Sequence, residues 1–227
     1  MDSAAGYLET LRIRPSTLQR HDYNESMQAM TQRQPNVIEI SLPEWINDFL
    51  LGFPEHISAL QDRMSLVVEA ARFNVSRGTG GPFAAAVFEA ESGKLVSLGV
   101  NLVTSGDMSM LHAEILALSL AQKKTGGYDL GRHNLPVYEL VTSTEPCAMC
   151  FGAILWSGVR RLIIGARSAD AERIGFDEGP KKRNWKSEMA ARGIAVICDV
   201  ERKEAVKVLR DYGMSGGKIY NSQHGKR

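Results

Sequence analysis

Four residues of the sequence have the types and spacing of a metal centre with a proton carrier. Cys147 and Cys150 are three positions apart, and His112 lies two positions before Glu114. Two thiolates with this spacing at the start of a helix can bind one cation, and a histidine can supply a third ligand. Three protein ligands leave the fourth tetrahedral position to water, which is typical of a catalytic zinc site. The pattern therefore predicts zinc bound by His112, Cys147 and Cys150.

Glu114 is the residue that we expect to handle protons at this site. It lies too close to His112 in sequence to be an easy fourth ligand on the same helix. Its neighbours, from Ala113 to Leu118, make the helix apolar nearly all round, which predicts a buried helix. A glutamate is rarely buried without a reason. We expect Glu114 to take a proton from the attacking water and deliver it to the substrate.

The Cys-x-x-Cys pair by itself leaves other interpretations open. A pair of buried structural cysteines or a redox pair would have the same spacing, and the preceding His-x-Glu motif is what favours a metal. Pro146 is suited to the entrance of a helix, whose unpaired N–H groups favour thiolate. A third cysteine, Cys198, lies in an apolar stretch and is expected in the core. An odd number of cysteines favours a reducing compartment, so we predict a cytoplasmic protein.

The composition excludes several classes of protein. The chain has 227 residues, a formal net charge of +1 and an ordinary apolar fraction of 44%. A protein that binds nucleic acid usually has more basic than acidic residues by a clear margin, so no nucleic-acid partner is expected. The sequence contains no apolar stretch of about 18 residues, so no membrane span is expected either. The N-terminus lacks the apolar core of a secretory signal.

Alternating strands and helices are predicted to position these residues. Apolar runs bounded by turn residues predict strands over 83–90, 95–103, 137–143, 161–166 and 194–199. Helical periodicity and stop signals predict helices over 56–77, 111–124, 147–157, 168–174, 185–192 and 201–211. Buried strands that alternate with helices predict a mixed sheet covered on both faces.

The N-terminal part of the chain is predicted to be an extension, over residues 1–55, of a main domain over 56–227. Residues 1–36 are polar and without a persistent period, which favours a mobile segment, the alternative being an arm packed on a partner subunit. Residues 37–55 are more apolar, and Pro43 is suited to the first turn of a short helix over 44–51 that would cap the main domain.

The sequence resembles the cytidine deaminase-like superfamily, and within it the guanine deaminase branch. The metal motif has the His-x-Glu and Pro-Cys-x-x-Cys form that zinc deaminases share. The resemblance covers about residues 57–222 and rests on these segments in order: Gly80-Gly81-Pro82-Phe83, Asn101, His112-Ala113-Glu114, 144–150, Trp156 and 174–178. It implies a three-layer α/β/α sandwich on a five-stranded mixed sheet, which agrees with the predicted strands.

The resemblance also implies an activity, the zinc-dependent hydrolytic deamination of guanine to xanthine and ammonia. Ammeline and related aminotriazines are further expected substrates. Alternatives within the superfamily are guanosine, cytosine or another nucleobase or nucleoside, and tRNA adenosine, against which the balanced charge argues. A non-enzymatic alternative is a zinc-stabilised binding module. Such a site has no use for Glu114 and would normally be closed by a fourth ligand.

Site residues beyond the metal motif are implied by the same resemblance. Glu178 would be a second acid that holds the amine, the alternative being an ordinary carboxylate in a glycine-rich turn. Asn101 has the donors and the acceptor to bind a purine carbonyl and ring nitrogen, the alternative being a turn asparagine. The aromatic walls of a base site would come from Phe83, Trp156 and Phe176, or these rings would only pack in the core.

The surroundings of His112 and the C-terminal tail complete the predicted site. The backbone near Ala113 is expected to lie beside the base, and Leu111 is bulkier than the small residue usual before this histidine, which could reshape the pocket. Relatives close the active site with their C-terminal tail, in some cases that of the neighbouring subunit. We therefore expect Tyr220 to contact the base, and a homodimer in which the tails could be exchanged.

Overall fold

A five-stranded sheet runs through the part of the chain that the computed structural model describes, residues 37–221. Its strands are β1 (Ala84–Glu89), β2 (Leu95–Val100), β3 (Tyr138–Thr144), β4 (Arg161–Ala166) and β5 (Ala195–Ile197). The helices are α1 (Trp45–Leu51), α2 (Leu60–Ser76), α3 (Ala113–Thr125), α4 (Ala148–Ser157), α5 (Ser168–Glu172), α6 (Trp185–Ala190) and α7 (Arg202–Met214). The mobile segment predicted over residues 1–36 lies outside the described residues.

The strand order is β2-β1-β3-β4-β5. β1 is antiparallel to both β2 and β3, while β3, β4 and β5 are parallel to one another, so the sheet is mixed, as predicted. β1 and β2 form a hairpin around Gly93. The carboxyl ends of β3 and β4 lie at one edge of the sheet, and the connection after β3 leads directly into the Cys-x-x-Cys motif.

Both faces of the sheet are covered by helices. Because side chains alternate along a strand, Ala84, Ala86 and Phe88 of β1 face one layer while Ala85 and Val87 face the other. The first layer contains residues of α1, α2, α5 and α7, and the second contains residues of α3, α4 and α6. The result is the predicted three-layer α/β/α sandwich.

The predicted helix over 56–77 begins later than expected. Residues 55–57 pair with the β1–β2 turn instead: the Ile57 N–H donates to Gly93 O at 2.9 Å and the Leu95 N–H donates to Glu55 O at 3.0 Å. The apolar periodicity continues through Ile57 because its side chain is buried, although its backbone lies outside the helix. The structure also shortens strand two to end at Val100 and strand five to three residues.

The compact unit begins at Ser41, earlier than the predicted boundary after residue 55. The helix predicted over 44–51 is present as α1, and Ile46 is buried. The Trp45 indole N–H donates to Thr79 Oγ1 at 3.1 Å, and its ring lies 5.7 Å from that of Phe73. None of the helices between residues 37 and 221 is long and apolar enough to cross a membrane.

Candidate active site

The three predicted metal ligands meet at one point. His112 Nδ1 lies 3.4 Å from Cys147 Sγ and 3.6 Å from Cys150 Sγ, and all three ligand atoms lie within 4.8 Å of one another. A tetrahedral zinc ion with Zn–S of about 2.3 Å and Zn–N of about 2.1 Å holds nitrogen and sulfur ligands about 3.6 Å apart. The donor set and its spacing therefore fit zinc.

His112 and Cys147 occupy equivalent places at the starts of two helices. Each is an N-cap with extended backbone, and its carbonyl accepts the first intrahelical bond, from Leu116 N–H and Phe151 N–H respectively. The two helices were predicted to begin at residues 111 and 147, and they begin two positions and one position later, so each ligand directly precedes its helix. The difference matters because two positive helix ends point at one site, where they stabilise thiolate.

The two thiols differ in their affinity for protons. Hydrogen bonds from the Cys150 thiol and from His112 lower the pKa of Cys147 to about 4, although burial opposes this. The pKa of Cys150 is raised, because this thiol donates to Cys147 and is buried. The pair thus shares one proton and one negative charge. Binding of a divalent cation would release the remaining proton, as thiol ligands require.

Glu114 is the second residue of α3 and is only 7% exposed, as the apolar character of this helix predicted. Burial raises its pKa, and the neighbouring Cys147 thiolate raises it further. A carboxyl group with a raised pKa is suited to accept and donate protons near neutral pH. Burial lowers the pKa of His112, but the hydrogen bond to Cys147 and the charge of Glu114 outweigh it and raise the pKa overall.

A cavity of about 310 Å³ opens beside the metal ligands. It brings together most of the predicted site residues, namely Phe83, Asn101, His112, Glu114, Cys147, Phe176, Glu178 and Tyr220. Cys150 is fully buried next to the cavity. The cavity walls also include residues to which the sequence analysis assigned no role. Thr144, Glu145 and Met149 belong to the segment 144–150, whereas Val103, Ser109 and Thr142 lie outside every segment that was singled out. The sequence offered no signal for Val103, Ser109 and Thr142, because apolar and hydroxyl residues of these types occur throughout the chain.

Glu178 faces the same cavity as Glu114, from the segment 173–184 between α5 and α6. Its carbonyl accepts a 2.9 Å hydrogen bond from the N–H of Ala148, between the two cysteines. The turn after it is closed by Gly179, whose φ of 69° favours glycine and whose N–H donates to Asp177 Oδ1 at 2.8 Å. Burial and the charge of Cys147 raise the pKa of Glu178 to about 8.

Three aromatic rings form one wall of the cavity. The Phe176 ring lies edge-on to Phe83 and Tyr220, with centroid distances of 4.9 Å and 5.1 Å. The tail that carries Tyr220 is held in place by Asn221, which donates to Gly175 O at 2.8 Å and accepts from the Asp177 N–H at 2.9 Å. The C-terminal tail of the same chain therefore reaches the cavity.

Asn101 is held by a residue that the sequence analysis missed. Asn101 follows β2 and is buried, and its N–H donates to Phe83 O at 2.9 Å. The Asn74 amide donates to Asn101 O at 2.8 Å and to Gly81 O at 2.9 Å, so it joins the glycine-rich segment to the cavity wall. Asn74 is itself fully buried, and a polar residue on the apolar face of a helix was the signal that could have identified it.

One predicted substrate contact, Trp156, lies away from the cavity. Trp156 is 86% exposed near the end of α4 and is not among the residues that line the cavity. The side chain of Ala113 packs in the core, while its backbone, which was predicted to lie beside the base, joins His112 and Glu114, two residues that line the cavity. Leu111 is also buried, and its carbonyl accepts from the Leu102 N–H at 2.9 Å, so its bulk fills the core and does not narrow the cavity.

Comparisons with known proteins agree with this site. Residues 57–166 match the family described as the cytidine and deoxycytidylate deaminase zinc-binding region. A guanine deaminase of Bacillus subtilis is 35% identical over 123 residues, which cover 54% of this chain and 72% of that protein. The solved guanine deaminase from Nitrosomonas europaea is 48% identical, covers 80% of this chain and 99% of its own, and has a TM-score of 0.76.

A further solved structure, of a protein in complex with 2,6-diaminopurine, is 50% identical to this chain with a TM-score of 0.76. The match covers 81% of this chain and 96% of that one. Together with the metal ligands, the two buried carboxylates and the sandwich fold, these similarities show that the chain belongs to the guanine deaminase branch of the zinc-dependent cytidine deaminase-like family.

Proposed function

We propose that this protein hydrolyses guanine to xanthine and ammonia. The observation that carries the proposal is that one cavity is lined by a zinc-fitting ligand cluster, by the carboxyl groups of Glu114 and Glu178, and by aromatic rings. A structural zinc site needs neither buried carboxyl groups nor a cavity. The likeness to the Nitrosomonas europaea guanine deaminase, at 48% identity over nearly all of that chain, supports guanine as the substrate.

The residues of the cavity divide the proton transfers between them. A zinc ion held by the three ligands supplies a Lewis acid that activates water near neutral pH. Glu114 would accept the proton of the attacking water and deliver it to the ring nitrogen beside the attacked carbon. Glu178 holds a proton at neutral pH, because its pKa is raised to about 8. It would give this proton to the departing amine and regain one from the added hydroxyl group as the carbonyl of xanthine forms. Water and guanine are thereby converted to xanthine and ammonia.

The cavity walls suit a flat, polar ring. The ring faces and edges of Phe83, Phe176 and Tyr220 can contact a base, each contact contributing about 0.5–1.5 kcal/mol beyond area burial. Asn101, buried at the same wall, would hydrogen-bond the edge of the base. We infer that ammeline and related aminotriazines, which present a similar edge, are also substrates.

We infer that the free base is preferred to the nucleoside. Tyr220 and Asn221 of the C-terminal tail line the cavity, so a ribose on N9 would need space that the tail occupies. A tRNA substrate is disfavoured by the net charge of +1, since neutralising phosphates requires a basic surface.

An ammonia-release assay tests directly which compound is the substrate. Zinc-loaded protein is given guanine, guanosine, cytosine, adenine and ammeline, and kcat/KM is compared. We expect guanine to have the highest value, and guanosine to fall below it by at least tenfold. A higher kcat/KM for guanosine or cytosine would replace guanine as the substrate and leave the deaminase chemistry intact. Absence of ammonia release from every compound would overturn the proposed function.

We also propose that the protein is a homodimer. Trp156 and Tyr128, which are both 86% exposed, lie around one surface depression with Leu155. A tryptophan this exposed suggests that a second copy of the chain covers this face. Light scattering of the parent and of the Trp156→Arg variant tests the oligomeric state. Mixing Glu114→Gln protein with protein lacking residues 217–227 tests an exchanged tail, because only exchange would restore activity.

We propose a cytoplasmic location for the same enzyme. All three cysteines are free, and the Cys147 and Cys150 thiols must stay reduced to bind zinc. Fractionation of cells that express the full chain checks this location.

A further inference from the structure

Lys181 joins two segments of the active site that are far apart in sequence. Its ammonium group donates to Pro146 O at 2.7 Å, to Glu145 Oε1 at 2.8 Å and to Ser168 Oγ at 2.6 Å. An ammonium group has three protons, and these three acceptors use all of them. Pro146 and Glu145 precede Cys147 directly, and Ser168 begins α5. Lys181 itself lies three residues after Glu178.

The surroundings of Lys181 are unusual for a lysine. Its side chain is only 10% exposed, that of Glu145 is 13% exposed, and Nζ lies 5.7 Å from the centroid of the Trp185 ring. Taking an ammonium group out of water is unfavourable unless the charge is paired and hydrogen-bonded. Here every proton has an acceptor, so the group is held in one position.

Among residues 37–221, Lys181 makes one of two hydrogen-bonded connections between the segment 173–184, which carries Glu178, and residues 145–148 around the ligand Cys147. The other is the 2.9 Å hydrogen bond from the Ala148 N–H to Glu178 O. The two connections are anchored on opposite sides of Cys147, at Pro146 and at Ala148. A segment fastened at only one of these points could pivot about it, whereas two points fix the distance and direction of Glu178 from the cysteine ligand.

The charge of Lys181 also compensates a carboxylate in the cavity wall. Glu145 lines the cavity together with Glu114 and Glu178, and Ser168 Oγ also donates to Glu145 Oε1, at 3.0 Å. Without a cation, a third carboxylate would face the two that carry out proton transfer. Lys181 is not among the residues that line the cavity, so it contacts Glu145 from the side that faces away from the cavity.

We propose that Lys181 is a positioning residue, which fixes Glu178 relative to the Cys147 turn and neutralises Glu145 without touching the substrate. This role rests on the proposed deaminase function. It assigns to a lysine outside the cavity the task of keeping the second acid aligned with the departing amine. A misplacement of about 1 Å at a reacting group can lower the rate by about 100-fold.

The test uses the zinc-loaded full chain with Lys181→Met, Lys181→Arg and the matched control Lys182→Met. Lys182 is the next residue, 72% exposed, and pairs only loosely with Glu188 at 3.5 Å. We expect Lys181→Met to lower kcat for guanine at least tenfold, with KM changed less than threefold and zinc content unchanged. Lys181→Arg should recover only part of the loss, because a planar guanidinium cannot direct three donors from one atom. Lys182→Met should match the parent.

A double-mutant comparison separates positioning from a general loss of stability. If Lys181 acts through Glu178, Lys181→Met should reduce kcat by less than threefold when Glu178 is already Gln, because the two changes are then not additive. If Lys181→Met lowers kcat by the same factor in the parent and in the Glu178→Gln variant, the proposed positioning role is wrong. It is also wrong if kcat for Lys181→Met lies within twofold of the parent while the melting temperature is lowered, which would make Lys181 a stabilising residue only.

Hydrogen exchange provides a readout that does not depend on activity. We expect the amides of residues 176–184 to exchange at least fivefold faster in Lys181→Met than in the parent and in Lys182→Met. Faster exchange in a protein that releases no ammonia from guanine would support the positioning role and overturn only the proposed substrate chemistry. Unchanged exchange in these residues would overturn the positioning role whatever the activity.

Discussion

His112 and Cys147 are 35 residues apart in the sequence, yet each stands directly before a helix, and Nδ1 of the first lies 3.4 Å from Sγ of the second. The N-termini of α3 and α4 therefore point at the same site. Their positive ends favour the negative charge of a thiolate, which helps to prepare the ligands before any metal binds. The same arrangement places Glu114, in the first turn of α3, at the edge of the metal site.

Zinc binding is expected to depend on all three ligands. We expect one zinc per chain in the parent, and a loss of most of it in Cys147→Ala, because two ligands rarely retain zinc. Elemental analysis of dialysed protein measures the content, with Cys198→Ala as the control because this cysteine lies outside the site. Full zinc occupancy in the triple variant His112→Ala, Cys147→Ala, Cys150→Ala would show that zinc binds elsewhere.

Replacing Glu114 by Gln should abolish turnover without disturbing the fold. The amide has the same shape but cannot carry the proton, and a positioned proton-transfer group contributes about 10²–10⁴-fold to the rate. We expect kcat for guanine to fall by at least 100-fold, with the circular dichroism spectrum and zinc content of the parent. A turnover within threefold of the parent would remove Glu114 from the mechanism.

Replacing Glu178 by Gln should lower kcat more than it raises KM, because its proton is needed mainly in the transition state. Glu178→Asp should retain more activity than Glu178→Gln, since it keeps an acid at the same place. Steady-state kinetics with guanine measure both constants, and Glu172→Gln, an exposed change at the end of α5, is the control. An unchanged kcat together with a melting temperature lowered by several degrees would identify Glu178 as a turn carboxylate.

Deleting residues 217–227 should lower activity on guanine and leave zinc content intact. The deletion removes Tyr220 from the cavity wall and removes both hydrogen bonds of Asn221 to the 175–177 stretch. We expect KM for guanine to rise and the preference for guanine over guanosine to narrow. Lys218→Ala is the control, because it preserves the backbone carbonyl that accepts from Tyr212. Unchanged discrimination between the two substrates would show that the tail does not select the base.

Acid stability is expected to depend on Asp170, whose side chain is 1% exposed. Burial disfavours its charge, but the Arg167 N–H and the guanidinium groups of Arg173 and Arg202 outweigh this and lower its pKa. A lowered folded pKa contributes stability above the unfolded pKa, about 3.9, and the contribution is lost as the pH falls through the folded pKa.

Asp170→Asn should therefore reduce the free energy of unfolding at pH 7 by roughly 1.5–3 kcal/mol, the contribution of hydrogen bonds to a charged group. The difference from the parent should shrink as the pH falls below about 4. Urea unfolding of the parent and of Asp170→Asn, from pH 7 to below about pH 4, measures the difference in the free energy of unfolding. Asp199→Asn is the control, since Asp199 pairs with Arg167 at the surface, where ion pairs contribute little. A difference that is constant with pH would assign the loss to packing.

Local patterns in the sequence predicted much of the fold and the chemical core of the site. Apolar runs located all five strands, because a strand that is covered on both faces is apolar along its length. Helical periodicity and stop signals located the helices between residues 44 and 214, because burial of one face imposes a period on a helix. The metal ligands and Glu114 were identifiable because ligand type and spacing within a motif are local properties. Glu178 and Asn101 came from family resemblance, and both line the cavity as expected.

Contacts between distant segments decided the rest. Trp156 was predicted to face the base, but the direction of a side chain on α4 depends on how that helix packs, and the packing leaves Trp156 exposed. The roles of Asn74 and Lys181 depend on acceptors 27 and 35 residues away. The helical pattern marks Asn74 only as a polar residue on an apolar face, and no local pattern marks Lys181. The partners of both are acceptors that only the folded chain brings within hydrogen-bond distance.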